Sequence, residues 1–189
     1  MQTQALGQPE LRTLLLTDLV GSTELVERVG DAEAARLGAL HDAAARSLLA
    51  RFPAREIDKT DGFLFLFDRA ADALRFALDY HAALAELSRV AGRSMEARVG
   101  IHLGEVYLRA NAAVDVTRGA KPFEVEGLAK PLAARVMSLA IGGQTLLTRA
   151  AFDMCRRAAA GDSAFPSGLQ WVAHGAYLLK GVEDPVDIF

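Results

Sequence analysis

Cysteine is almost missing from this chain: Cys155 stands alone among 189 residues, which excludes a disulfide framework within one molecule. It falls in a helix-like stretch, Ala151 to Ala159, where a small packed side chain accounts for it. No stretch approaches the roughly 18 consecutive apolar residues of a membrane span. The opening Met-Gln-Thr-Gln-Ala-Leu-Gly has no charged leader with an apolar run behind it. These absences read as a soluble, cytoplasmic protein with no membrane partner. Basic excess is lacking too: 21 Lys and Arg against 24 Asp and Glu leave a net charge of −3, and the cations are scattered. That argues against nucleic acid as a partner. The four histidines (His41, His81, His102, His174) show no metal-ligand spacing.

What is present is apolar surface. Hydrophobic residues make up 51% of the chain, enough for one substantial core, so residues 1–10 read as a tail and 11–189 as one domain. Leu11 to Thr17 is a nearly continuous apolar run ending at Asp18, which suits a central strand buried on both faces. Val20-Gly21-Ser22-Thr23-Glu24 then offers a turn glycine and hydroxyls to cap a helix through Leu25 and Val26. Ala34, Leu37, Leu40, Ala44 and Leu48 mark an amphipathic helix from Asp31, a plausible cap, to Phe52.

Arg55 to Thr60 and Phe63 to Phe67 flank Asp61-Gly62, a hairpin-turn dipeptide. A second long helix carries Ala73, Phe76, Ala77, Tyr80, Leu84 and Leu87, and Met95 to Leu108 reads as one or two strands broken around Gly104. Arg109 to Glu126 shows neither period and is too long for an ordinary connection. Leu132 to Leu139 is helical, Gln144 to Thr148 a strand and Arg149 to Ala159 a helix. Trp171 to Leu179 with Val186 to Phe189 closes the chain as a strand pair. No internal repeat is present. A hairpin in mid-chain and another at the end exclude a purely doubly wound parallel sheet; a mixed α+β sandwich fits.

Two acids stand at turns directly against buried strands, Asp18 at a strand end and Asp61 at a hairpin tip. Phosphate-bound magnesium takes one or two carboxylates and fills its octahedron with phosphate and water oxygens, so the pair suffices for such a site. The same acids also serve as an ordinary helix cap and an ordinary turn residue, and spacing alone does not show that they meet.

Leu16-Thr17-Asp18-Leu19-Val20-Gly21-Ser22-Thr23 resembles the opening metal motif of class III adenylate and guanylate cyclases. In order behind it, Lys59-Thr60-Asp61-Gly62-Phe63 resembles the second metal hairpin and Arg98 to Val106 the central strand. Ala133-Ala134-Arg135-Val136-Met137 is similar to the catalytic helix, with Gly142-Gly143-Gln144 and Leu179-Lys180-Gly181-Val182 after it. The resemblance spans roughly Leu11 to Phe189. It implies a ferredoxin-like sandwich of a mixed, mainly antiparallel sheet with helices. It also implies a homodimer with active sites at its interface, and two Mg2+ or Mn2+ ions per site held by Asp18, the Leu19 carbonyl and Asp61. Amides from Val20, Gly21, Ser22 and Thr23 would face a nucleoside triphosphate. Arg135, from the partner protomer, would stabilise charge on phosphorus, and Lys180 stands where the family has a basic residue near the phosphates. The segment 109–126 corresponds to a dimerisation arm.

Two positions depart from the family. Pro131, four residues before Arg135, replaces an asparagine that helps bind ribose, although proline suits a first helical turn. Ala129 replaces a base-reading side chain. Its lysine partner is either Ile57, counted without a gap from Asp61, or Lys59, with a deletion. Polar groups on the arm, Lys121 or Glu124, are candidates to compensate. The resemblance therefore implies a cyclase acting on ATP or GTP. The alternative is a degenerate domain that binds nucleotide or only dimerises, regulating an attached partner. No sensor or effector segment is recognisable, and the glycine-glycine-acid-glutamate-phenylalanine turn of diguanylate cyclases is absent.

Overall fold

The computed structural model describes residues 7–189; of the tail read at 1–10, residues 1–6 lie outside the described residues. A sheet runs in the order β2-β3-β1-β4-β5, from Ala54–Lys59 (β2), Phe63–Phe67 (β3), Glu10–Leu19 (β1), Ala97–Ala110 (β4) and Phe123–Glu126 (β5). These neighbours are all antiparallel, while Thr145–Leu147 (β6) joins β4 in parallel, so the sheet is mixed but mainly antiparallel. Gly175–Tyr177 (β7) and Val186–Ile188 (β8) form a separate two-stranded sheet.

Two-residue alternation sorts the side chains of the central strands. Leu15, Phe63, Phe65 and Phe67 point to one face, where they meet helices α2 (Asp31–Leu49), α3 (Ala70–Ala91) and α6 (Arg149–Ala159). Phe65, Phe67, Phe76 and Tyr80 are fully buried there, with edge-on and tilted ring contacts. Leu14, Leu64 and Leu66 point to the other face, which carries helix α5 (Ala129–Leu139). Helix α5 reaches the strand backbone because Gly100 has no side chain: a β-carbon there would stand 2.4 Å from the Met137 nitrogen.

The structure revises several expectations. Strand β4 runs unbroken through Gly104. The segment 109–126 is not irregular: it holds the end of β4, a short helix α4 (Ala113–Val116) and β5, folded back as an arm on β4. Its period was hidden because the strand is only four residues long. Only Gly175–Tyr177 of the closing stretch 171–179 pairs as strand. Helix α2 is preceded by Gly30, so Asp31 lies inside its first turn instead of capping it.

Three histidines are structural. His102 meets the Thr148 hydroxyl at 2.9 Å and His81 meets Thr145 at 2.9 Å. Burial holds His41, His81 and His102 below the ordinary imidazole value of 6.5, His102 down to about 4. The fold thus favours neutral rings, and below pH 6.5 the unfolded chain binds more protons than the folded one. Stability is expected to fall as pH drops from 6.5 towards 4, measured by urea unfolding; His102→Asn should flatten part of that slope.

Candidate active site

Strand β1 delivers Asp18 to the sheet edge, and the register that pairs it with Arg98 of β4 determines its environment. Both Nε and Nη2 of Arg98 donate to one carboxylate oxygen, Oδ2, at 2.8 and 2.7 Å. The other oxygen, Oδ1, is not part of this pair. Asp61 arrives from the β2–β3 turn. Gly62 makes the approach possible: a β-carbon there would lie 1.8 Å from the Thr17 carbonyl oxygen and 2.8 Å from the Asp18 α-carbon. The Phe63 amide donates to the Thr17 hydroxyl at 2.9 Å, clamping the hairpin onto β1.

Helix α1 (Ser22–Val29) begins at the same place. Its hydroxyls do not cap it, contrary to expectation: Gly21 takes the cap position in the left-handed region, φ 66°, and no side chain bonds the first turn. Ser22 instead donates through Oγ to Asp61 Oδ2 at 2.8 Å, joining the helix start to the hairpin tip. The amides of Ser22, Thr23 and Glu24 precede the first intrahelical bond, Leu25 to Gly21, and are uncapped. Val20 is different, since its amide donates to the Glu96 carbonyl at 2.9 Å and is committed to the sheet. A cavity of about 170 Å³ opens between this turn, the hairpin and α2, with Ser22, His41, Lys59 and Asp61 on its walls.

The donor set is hard oxygen: two carboxylates on touching loops, with Leu19 next to Asp18 in the chain. That composition fits divalent magnesium or manganese sharing its sphere with phosphate oxygens. No cluster of three or more His, Cys, Asp or Glu suited to hold a metal by protein ligands alone occurs among the described residues.

Arg135 projects from α5, half-buried, with its Nη2 3.7 Å from where a Gly181 β-carbon would stand. The loop carrying exposed Lys180 therefore lies against it. Among the described residues neither cation has a carboxylate within ion-pair distance, and no ion pair joins them to Asp18 or Asp61. The chain thus presents carboxylates in one place and unneutralised cations in another.

The base-reading positions separate. A bulge in β2 between Glu56 and Asp58 puts both Ile57 and Asp58 on the α5 face, with Ile57 buried in the same apolar cluster as Ala129. Lys59 is turned to the opposite face, 3.2 Å from Asp42 of α2. Asp58 pairs with Lys121 of the arm at 2.6 Å. Burial opposes its ionisation, but Lys121 and the Lys59 amide outweigh that and hold its carboxyl below the usual range. Glu124 stands 3.8 Å from Lys121. Pro131 is exposed in the first turn of α5, where its missing N–H costs nothing. Sequence reasoning missed Arg98, Asp58 and the His41–Tyr80 contact. Arg98 lay within a quoted motif, but only strand register reveals its partner.

A sheet with α2, α3 and α6 on one face, α5 on the other and paired aspartates at the β1 end defines the class: the chain has the fold of class III nucleotide cyclase catalytic domains. It superposes on the adenylyl cyclase CyaB from P. aeruginosa with a TM-score of 0.81 at 17% identity, covering 96% of this chain and 93% of that one. For the guanylyl cyclase Cya2 the values are 0.79, 23%, 97% and 92%. For the guanylate cyclase domain of RhGC from Catenaria anguillulae, solved in complex with GTP, they are 0.78, 16%, 95% and 94%. No protein-family model matches the chain. Uncharacterized proteins of Mycobacterium tuberculosis and Mycobacterium bovis are 27% identical over 175 residues, covering 92% of this chain. The alignment takes in 53% of their length, so the chain spans about half of the curated relatives it matches. Among the described residues, no helix is long and apolar enough to cross a membrane.

Gly62→Ala is expected to push the hairpin off β1 and cost about 2 kcal/mol or more, as overpacked sites do. Urea unfolding beside Asp61→Ala, which leaves the backbone contact intact and should change stability far less, checks this.

Proposed function

We propose that this chain is a nucleotide cyclase that works as a homodimer, converting a ribonucleoside triphosphate into a 3′,5′-cyclic mononucleotide and diphosphate. The observation that carries the reading is the packing of Gly62 on Thr17 and Asp18, which joins the two aspartate loops. In the reaction the ribose 3′-oxygen bonds to the α-phosphorus, the bond from that phosphorus to the β-phosphate bridging oxygen breaks, and the hydroxyl proton leaves to water. Two Mg2+ or Mn2+ ions bound by Asp18, Asp61 and the Leu19 carbonyl would acidify the hydroxyl and neutralise the leaving diphosphate.

The chain's own residues supply the rest. Uncapped amides at Ser22, Thr23 and Glu24 suit phosphate oxygens. Arg98 holds Asp18 through Oδ2, which leaves Oδ1 as the oxygen that could bind a metal. Arg135 and Lys180 have no carboxylate to neutralise them and suit the charge that develops on phosphorus. Because they form no ion pair with the aspartates of their own chain, the complete site is read as shared, with cations from one protomer and carboxylates from the other. ATP and GTP are both candidate substrates, since Ile57 and Ala129 form an apolar wall without a base-reading donor or acceptor.

That apolar wall, with Pro131, also favours a second reading: a domain that binds nucleotide or only dimerises and regulates an attached partner. Turnover separates the two. The purified chain at high concentration with manganese, offered ATP, GTP, CTP and UTP separately, should make cyclic product from one or two of them. Asp61→Ala and Arg135→Ala should each lower the rate by about 100-fold or more, the scale of losing one transition-state electrostatic contact. Mixed in equal amounts, the two variants should recover about a quarter of wild-type activity, because half the dimers are mixed and each holds one intact site. No product from any nucleotide by a confirmed dimer would transfer the assignment to the regulatory reading.

A further inference from the structure

Beneath the aspartate loops lies a run of buried polar groups that the chemistry above does not use. His41 is 1% exposed and Tyr80 fully buried. His41 Nε2 meets the Tyr80 hydroxyl at 2.5 Å, and His41 Nδ1 meets Asp42 Oδ1 at 3.1 Å. At one end the His41 ring packs on the Phe63 ring, centroids 5.3 Å apart, and the Phe63 amide donates to the Thr17 hydroxyl. At the other end, Asp42 Oδ2 holds Lys59 at 3.2 Å.

The donors and acceptors allow one consistent direction. A carboxylate at Nδ1 requires the proton there, so Nε2 accepts from the Tyr80 O–H. Apolar side chains would fill this space without the desolvation cost of a buried imidazole and phenol. The ends of the run are informative: Thr17 precedes Asp18, while Lys59 and Phe63 stand two residues either side of Asp61.

We propose that Asp42, His41 and Tyr80 form a buried positioning chain that, through its contacts with Phe63 and Lys59, fixes the spacing between the Asp18 and Asp61 loops, with α2 and α3 as its supports. That the two loops form a catalytic site rests on the cyclase reading; the coupling between them does not. His41 and Tyr80 form no hydrogen bond with Asp18 or Asp61 and act through Phe63, Thr17 and the hairpin backbone.

The test is Tyr80→Phe, which removes one oxygen, compared with His41→Gln, which keeps an acceptor for the Tyr80 hydroxyl, and His41→Leu, which does not. Hydrogen–deuterium exchange is read at residues 17–19 and 60–64, with α6 as an internal control. Exchange in the two loops should quicken about tenfold in Tyr80→Phe and His41→Leu, stay unchanged in α6, and return towards wild type in His41→Gln. The manganese concentration giving half-maximal turnover should rise about tenfold in the same two variants, as loss of an outer-shell partner does, with a smaller change in kcat. Unchanged loop exchange in Tyr80→Phe overturns the proposal, as does equal quickening of α6, which would make the pair ordinary core. Should the wild-type chain make no cyclic nucleotide, the cyclase reading falls while the exchange measurement still decides the coupling.

Discussion

Strand β1 lies between β3 and β4 and is hydrogen-bonded to both, and its register determines nearly everything else about the site. Side chains alternate faces, so a slip of one residue against β4 would exchange Leu14 and Leu15 between the two cores and turn Asp18 away from Arg98. The two apolar faces lock that register: Leu15 is buried against α2 and α3, Leu14 against α5. The aspartate is thus placed by hydrophobic burial some residues away, which no polar contact at the strand end needs to supply.

Glycine then sets how closely other elements approach this strand system. Gly62 admits the hairpin to the β1 backbone and Gly100 admits α5 to β4. Each is a close approach of main chain to main chain, where even one methyl group would intrude. The consequence is a rigid pair of acidic loops on one part of the chain and a rigid helix carrying Arg135 on another. Charge follows the same division, since Asp18 is balanced by Arg98 while Arg135 and Lys180 have no carboxylate partner among the described residues. In the homodimer proposed above, a second copy of the chain would bring the two together.

The face read as the base side of the proposed site is mostly apolar. The β2 bulge carries Ile57 into the apolar cluster with Ala129 and leaves the Asp58–Lys121 pair as the polar feature of that face. Lys121 comes from the arm, so the arm and the hairpin are tied together by charge. The two candidates left by counting back from Asp61, Ile57 and Lys59, lie on opposite faces of β2.

The sequence by itself determined the element types and the motif order. The Phe-Leu-Phe-Leu-Phe strand, the Asp61-Gly62 turn and the long helices are local patterns whose period or backbone preference is printed in adjacent residues. Asp18 and Asp61 were legible as acids at turns against buried strands, and Arg135 only through the resemblance to the cyclase motif. What only the tertiary structure decided was partnership. Ser22 abandons its helix cap for Asp61, Val20 gives its amide to Glu96, Arg98 holds Asp18 and Tyr80 reaches His41, contacts spanning between 39 and 80 residues of chain. Such pairings depend on strand register, on a bulge and on which helix covers which face. These are properties of burial summed over the whole sheet, and no short stretch of sequence contains them.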